Sequence, residues 1–279
     1  MDICNFTIDG NDAFKKWGVF IEEDGLAQLI QVPSFKKVET TEWDEYDGIE
    51  ADLIKPVLDA RSVTLTMHMV DVTNANALFN FLKSGKVSYH NFAFTDLNRE
   101  YKLRLTSNGS FSSLVKLGKL TLTFAQDLVG QDEQSYYRTA PSDVWQRGYS
   151  LDGVDFSKFG IFVLKGTNDS LRKYPTIREN LKVSPSDEEG AQYDDYEVHY
   201  KSKDVTLNLL IDASNISEFW KRFNSLFTLL IKPKYRTFEY KEISVKCYYK
   251  NNAVSKFRKL RNGKIWCEFT VTLTFTYDT

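Results

Sequence analysis

The sequence predicts two homologous, mostly β domains in tandem (an α+β chain in which strand dominates), each with one helix laid against its sheet. Three observations predict this. The stretch Val63-Thr-Leu-Thr-Met returns as Val205-Thr-Leu-Asn-Leu, an offset of 142 residues (205 − 63 = 142). The same offset carries Gly18 to Gly160, Pro33 to Pro175, Gly48 to Gly190 and Leu103 to Val245. Within the repeated stretch Val63, Leu65, Met67 and Met69 alternate with Thr64, Thr66 and His68, the period of a half-buried strand. Chance similarity does not hold register over such a length, so a duplicated domain is expected, with boundaries at 1–129 and 148–279 and a linker at 130–147.

In the first copy, Ile8-Asp-Gly10 reads as a strand end with a turn, and Phe14 to Ile21 as a strand interrupted by Gly18, where a bulge or bend is permitted. Glu39 to Asp52 holds seven carboxylates and no Lys or Arg, which predicts a loop or long hairpin outside the core. After the Arg61 strand, Thr73 or Asn74 caps a helix whose Ala75, Leu78, Phe79 and Leu82 share a face, and Gly85 ends it. Strands follow around Val87–Phe94, Tyr101–Leu105 and Leu120–Phe124, with turns at Asp96–Asn98 and Ser107–Gly109.

The second copy restarts at Leu151-Asp-Gly153, and Phe159-Gly-Ile-Phe-Val repeats Trp17-Gly-Val-Phe-Ile. Its acidic loop, Asp187 to Glu197, holds six carboxylates and no base. Ile216, Phe219, Trp220 and Phe223 form the helix stripe, behind a capping box at Asn215 and Glu218. The closing strand Val271-Thr-Leu-Thr-Phe275 answers Leu120-Thr-Leu-Thr-Phe124 at an offset of 151, so this copy has gained nine residues (151 − 142 = 9). They are assigned to the stretch Lys250–Lys264, which carries six bases and no acid and reads as a basic hairpin extension at one edge of the domain.

Composition narrows the function. A net charge of −2 lacks the basic excess of a general nucleic-acid binder. Three cysteines without CxxC spacing argue against a disulfide framework and for assembly in a reducing, cytoplasmic setting. No apolar run approaches the ~20 residues of a membrane span. His68, His90 and His199 stand apart without metal-ligand spacing, the acidic loops lack EF-hand spacing, and no nucleophile or phosphate-loop motif occurs. No catalytic residue, metal or cofactor is therefore expected. The charged loops read as subunit contacts, with Asp44, Glu45 and Asp47, and Asp187, Glu188 and Glu189, opposite Arg258, Lys259, Arg261 and Lys264.

The opening Asp-Gly strand, the Gly-Val-Phe return, the acidic loop Asp44-Glu-Tyr-Asp-Gly48, the strand Arg61-Ser-Val-Thr-Leu-Thr-Met, the helix, the hairpin and the closing Leu-Thr-Leu-Thr-Phe together resemble the N-terminal domain of phage distal tail proteins and related tail-tube and baseplate-hub domains. The resemblance covers both copies. It implies tail-tube-like domains, each a β-sandwich or half-open barrel with a flanking helix, and a virion or prophage structural protein whose sheets join into a ring around a DNA channel. It implies a homo-oligomer, either a trimer imitating sixfold symmetry or a hexamer, in contact with other tail proteins. The departure is the second copy, since a usual distal tail protein carries a different C-terminal domain there. The alternative is a carbohydrate- or surface-binding module using exposed Tyr and Trp.

Overall fold

A computed structural model of the chain describes residues 3–43, 46–83, 89–128, 144–178, 182–187, 189–193 and 198–277. The first half supplies β1 (Ile3–Cys4), β2 (Phe6–Ile8), β3 (Asn11–Asp12), β4 (Val19–Glu22), a small separate hairpin of β5 (Thr40–Thr41) and β6 (Glu50–Ala51), then β7 (Arg61–Met69), β8 (His90–Phe94), β9 (Arg99–Leu114) and β10 (Leu117–Gln126). Its main sheet runs β1-β4-β7-β10-β9-β8-β2-β3. The second half supplies β11 (Tyr149–Leu151), β12 (Val154–Asp155), β13 (Ile161–Val163), a small hairpin of β14 (Lys182–Val183) and β15 (Gln192–Tyr193), then β16 (Lys203–Ala213), β17 (Arg236–Tyr240), β18 (Ile243–Lys259) and β19 (Ile265–Phe275). Its main sheet, taken from the other edge, runs β13-β16-β19-β18-β17-β11-β12. Beyond the extra edge strand β1, the two orders correspond term by term.

Each sheet curls into a half-barrel, the second of the two forms that the resemblance implied. Apolar residues at period two face inward: Val63, Leu65, Met67 and Met69 on β7, and Val205, Leu207, Leu209 and Ile211 on β16, are all buried. Local detail repeats as well. Each Asp-Gly turn places an aspartate in the left-handed region, at φ 49° for Asp9 and 51° for Asp152. Asp9 then accepts from the Asn91 amide and faces His90 Nδ1 at 2.6 Å, while Asp152 accepts from the Thr237 amide and faces Arg236 at 2.7 Å.

The helices are α1 (Ala13–Trp17), α2 (Ala27–Ile30), α3 (Ala75–Lys83), α4 (Thr167–Arg172) and α5 (Ile216–Leu230). Asn215 accepts from the Glu218 amide at 2.9 Å, and the Glu218 carboxylate returns to the Ser214 amide at 3.1 Å, one residue earlier than a strict capping box. From α5, Phe219 meets Phe257, Phe223 meets Phe269 and Phe227 meets Tyr249, with ring centroids 5.6, 5.4 and 5.8 Å apart. The helix therefore fills the hollow of its own sheet. The shorter α3 buries Ala75, Leu78 and Leu82.

Several sequence expectations change. Phe14 to Ile21 is not one interrupted strand: Asp12 caps α1 by accepting from the Lys15 amide, and Gly18 closes it at φ 65° before β4 begins. The second copy repeats this with a 3-10 turn at Phe156–Phe159, capped by Asp155 and ended by Gly160 at φ 71°. Each half thus holds more than one helix, because caps at short range outweigh the period-two pattern there. Ser107–Gly109 is not a turn but lies within β9, whose register against β10 slips there, and the hairpin reverses beyond Leu114 with Val115 at φ 56°. The basic Lys250–Lys264 stretch is the hairpin extension that was expected: β17 pairs with β18 only over Ile243–Cys247, so from Lys250 to Lys259 the strand pairs with β19 alone, and the turn after Lys259 joins the two. Gly85, the start of the Val87 strand and most of the linker fall outside the described residues.

Candidate assembly interface

The stretch between α2 and β7 belongs to the first half in sequence and leans on the second half in space. It ends at Arg61, the first residue of β7, whose partly buried guanidinium donates to the carbonyls of Gln28, Leu29 and Gln31 at the C-terminal end of α2. A cation there meets the negative end of the helix and the carbonyls the helix leaves unpaired. Desolvation by burial lowers the Arg61 pKa to about 10, which leaves it charged at neutral pH. Chain direction out of α2 is thereby fixed. Val32 follows, its amide donating to Asn252 Oδ1 at 3.0 Å and its carbonyl 3.0 Å from the Tyr249 hydroxyl, both on β18. Phe35 stands edge-on to Tyr249, with ring centroids 5.8 Å apart. Side chains of the second sheet thus complete the backbone hydrogen bonding of the first half.

The acidic loop makes the next contact. The Gly48 amide donates to the Tyr200 carbonyl at 2.7 Å and the Ile49 amide to the Thr276 carbonyl at 3.0 Å. Returning from the second half, Arg178 donates to the Gly48 carbonyl, the Tyr200 amide to Asp47 and the Lys234 amide to the Leu53 carbonyl. The Tyr235 hydroxyl bridges both backbone groups of Ala51. Glu42 also lies 3.8 Å from Arg178, an opposite charge, and Asp47 lies 3.4 Å from His199 Nδ1. Only glycine fits at its centre: a Cβ on Gly48 would sit 1.3 Å from the Thr276 carbonyl oxygen.

A third contact comes from the turn between β8 and β9. Trp220 on α5 donates its indole N–H to the Leu97 carbonyl at 2.7 Å, and the Arg99 guanidinium stacks 3.5 Å above the ring. Trp220 was expected to pack on its own sheet with the rest of the α5 face. It is buried, but it faces the first half.

Of the charged residues expected at subunit contacts, Asp47 lies in this seat, Asp187 and Glu189 are exposed on the second loop, and Asp44, Glu45 and Glu188 fall outside the described residues. Within the chain the basic stretch already meets acids: Lys250 with Asp204 at 2.5 Å, Lys256 with Glu268 at 3.9 Å, Lys264 with Asp212 at 3.8 Å, and Lys259 with Asp96 of the first half at 2.9 Å. Arg258 and Arg261 are exposed. The His residues, which looked isolated in sequence, each face one carboxylate, His68 pairing with Glu22 at 3.3 Å. Burial pushes the Cys247 thiol up to about 12, the direction of an inert structural cysteine. Sequence reasoning missed Arg61, whose partners lie nearby in sequence at the end of α2, and Val32, Tyr249, Asn252 and Tyr235, whose contacts join residues 184 to 220 positions apart. Gly48 alone left a signal, as a glycine held in register with Gly190 inside a charged loop.

No protein-family model matches the chain, and no curated protein matches it. Among solved structures the chain is similar to the crystal structure of the SPP1 Dit (gp 19.1) protein, described as a paradigm of the hub adsorption apparatus in phages that infect Gram-positive hosts. The identity is 12%, the match covers 98% of each chain, and the TM-score is 0.34.

Two outcomes follow from the contact. Gly48→Ala and Gly190→Ala both place a side chain at positive φ, 74° and 95°, at a cost of about 1–2 kcal/mol. Only Gly48→Ala also unseats the loop, so urea unfolding should show it costing at least ~2 kcal/mol more than Gly190→Ala, roughly the net worth of two backbone hydrogen bonds. Equal losses would mean that the loop carries no contact energy. Trp220→Phe keeps an aromatic ring and removes the bond to Leu97, and should lower stability by ~1–2 kcal/mol, whereas Trp220→Ala should lower it by ~3–5 kcal/mol.

Proposed function

We propose that this chain is a structural component of a phage or prophage tail, in a distal tail or baseplate-hub role, whose copies close into a ring around the channel that DNA passes through. The carrying observation is that two modules of one strand order meet through unlike faces. The first offers its α2 segment and acidic loop, and the second receives them on β18, on the chain just after β19 and at Tyr200. A contact between unlike faces of like modules is heterologous, and its repetition gives a ring where the rotation closes and a filament where it does not. The sequence resemblance to distal tail and hub domains supports the ring. It also supplies the partners, which are further copies of this chain and neighbouring tail proteins, and the final location, the virion tail.

A duplicated module halves the number of chains a ring of given size needs. Three chains place six modules about the axis, which is the trimer imitating sixfold symmetry, and six chains form the larger hexamer. Native mass spectrometry on the purified chain should therefore show a closed species of three or six copies with no larger series above it. A monomer at every concentration, or a dimer that goes no further, would contradict the ring.

A further inference from the structure

The duplication puts one clasp in each half, and the two are built from different cations. At the start of β8, the His90 ring stands between the Asp-Gly turn and the last turn of α3: Nδ1 lies 2.6 Å from Asp9 Oδ2, and Nε2 lies 3.2 Å from the Leu82 carbonyl oxygen. At the start of β17, Arg236 donates to Asp152 Oδ2 at 2.7 Å and to the Pro233 and Lys234 carbonyls on the chain just beyond α5. The two positions are equivalent, because the next residue, Asn91 or Thr237, gives its amide to the same aspartate at 2.8 Å and accepts from that aspartate's own amide. Both side chains are buried.

We infer that His90 serves as an imidazolium and makes the clasp of the first half a pH-sensitive device, independent of any assembly. The clasp ties the end of α3 to the Asp-Gly turn while the ring carries both protons, and it opens when alkaline conditions remove one. The Arg236 clasp of the second half stays closed throughout. A carboxylate and a carbonyl oxygen both accept, so a ring set between them is satisfied only with a proton on each nitrogen. A neutral ring would leave one lone pair against an oxygen in a buried site. The other copy of the clasp uses arginine, whose guanidinium holds its charge across the range in which histidine titrates. One site thus takes a cation both times, opposite a carboxylate and at the carbonyl end of a helix, where positive charge is favoured. Cations at helix ends recur in this module: Lys203 donates to the Leu171 and Lys173 carbonyls at the end of α4, as Arg61 does to the carbonyls that end α2. Of these four cations, only the histidine loses its charge near neutrality.

The charges around the ring are engaged with other groups. Phe81 of α3 has its ring centroid 5.4 Å from that of His90, and Lys16 of α1 lies over Phe81 while bonding Asn11 Oδ1. Lys83, which ends α3, lies over Phe79. On β9 the buried Leu103 is paired with His90, flanked by Lys102, which lies over Tyr89, and Arg104, which is held by Asp127, while Glu100 accepts from Asn91. Among the described residues, Asp9 is therefore the carboxylate that meets the ring. The unfolded chain has no such pair of acceptors, so the folded first half holds the second ring proton more firmly. Its stabilisation is present at and below neutral pH and is lost as pH rises and the proton leaves.

Two measurements on the intact chain test this. Nitrogen NMR of the wild type at about pH 7, with the His90 ring identified by through-bond correlation to its backbone, should show a proton on both ring nitrogens. Hydrogen exchange, corrected for its intrinsic pH dependence, should show α3 amides losing protection relative to α5 amides by roughly fivefold or more between about pH 6 and about pH 9. In His90→Arg that ratio should stay level. His90→Gln, neutral at every pH, should begin at the low ratio and remain there, and His68→Gln and His199→Gln should keep the wild-type response. A His90 ring with one bare nitrogen at about pH 7 would overturn the inference. So would a wild-type ratio that does not change with pH, or one that falls equally in His90→Arg and His90→Gln.

Discussion

The residues between α2 and β7 form little regular structure of their own, and buried backbone that lacks a ladder must find its partners elsewhere. Here several of those partners belong to the other half of the chain. Val32 is held by Asn252 and Tyr249, Gly48 and Ile49 by the carbonyls of Tyr200 and Thr276, and Ala51 by Tyr235. The rest of the architecture follows from this demand. Arg61 must hold the end of α2 so that Val32 arrives in register, Gly48 must lack a side chain, and β18 must extend past its partner β17 to offer Asn252. Trp220 completes the seat from the other side by closing on the β8–β9 turn.

Within the chain, Tyr174 and Ile177 of the second half and the tip of the β9–β10 hairpin of the first half stay exposed. The divergence between the halves is concentrated there. The second half lengthened its hairpin and its helix together, so that Phe257 reaches Phe219 and the hairpin lies over α5. The first half kept a short hairpin and a short helix, leaving Phe111, Leu114 and Leu117 in solvent. Elsewhere, at the Asp-Gly turns, the glycine-ended first turn and the cation after α2 or α4, the two halves stayed alike because those features fix the course of each module rather than its neighbours.

The period-two strands and the long-helix faces were legible because each is a local pattern that burial imposes on its own residues. The strand order was implied only through the constant offset. The short helix at Ala13 escaped notice because a single aspartate cap and a single glycine decide it, and the four-residue helix at Ala27 carries no side-chain cap that would announce it. In the basic stretch, counting charges hid the alternation by which Asn252, Val254 and Phe257 are buried between the bases. At the candidate interface, composition identified the acidic loop through Asp47 but not what it meets. Tyr249 and Asn252 look like ordinary strand residues until another part of the chain is laid upon them.

The central claim is that one contact, made within the chain, is repeated between chains. Electron microscopy of the assembled particle viewed down its axis tests it most directly. The account predicts a closed ring in which modules alternate between two slightly different forms at equal spacing, so that the apparent symmetry at low resolution is twice the true one. Modules arranged in well-separated pairs, with one kind of spacing inside each chain and another between chains, would contradict it.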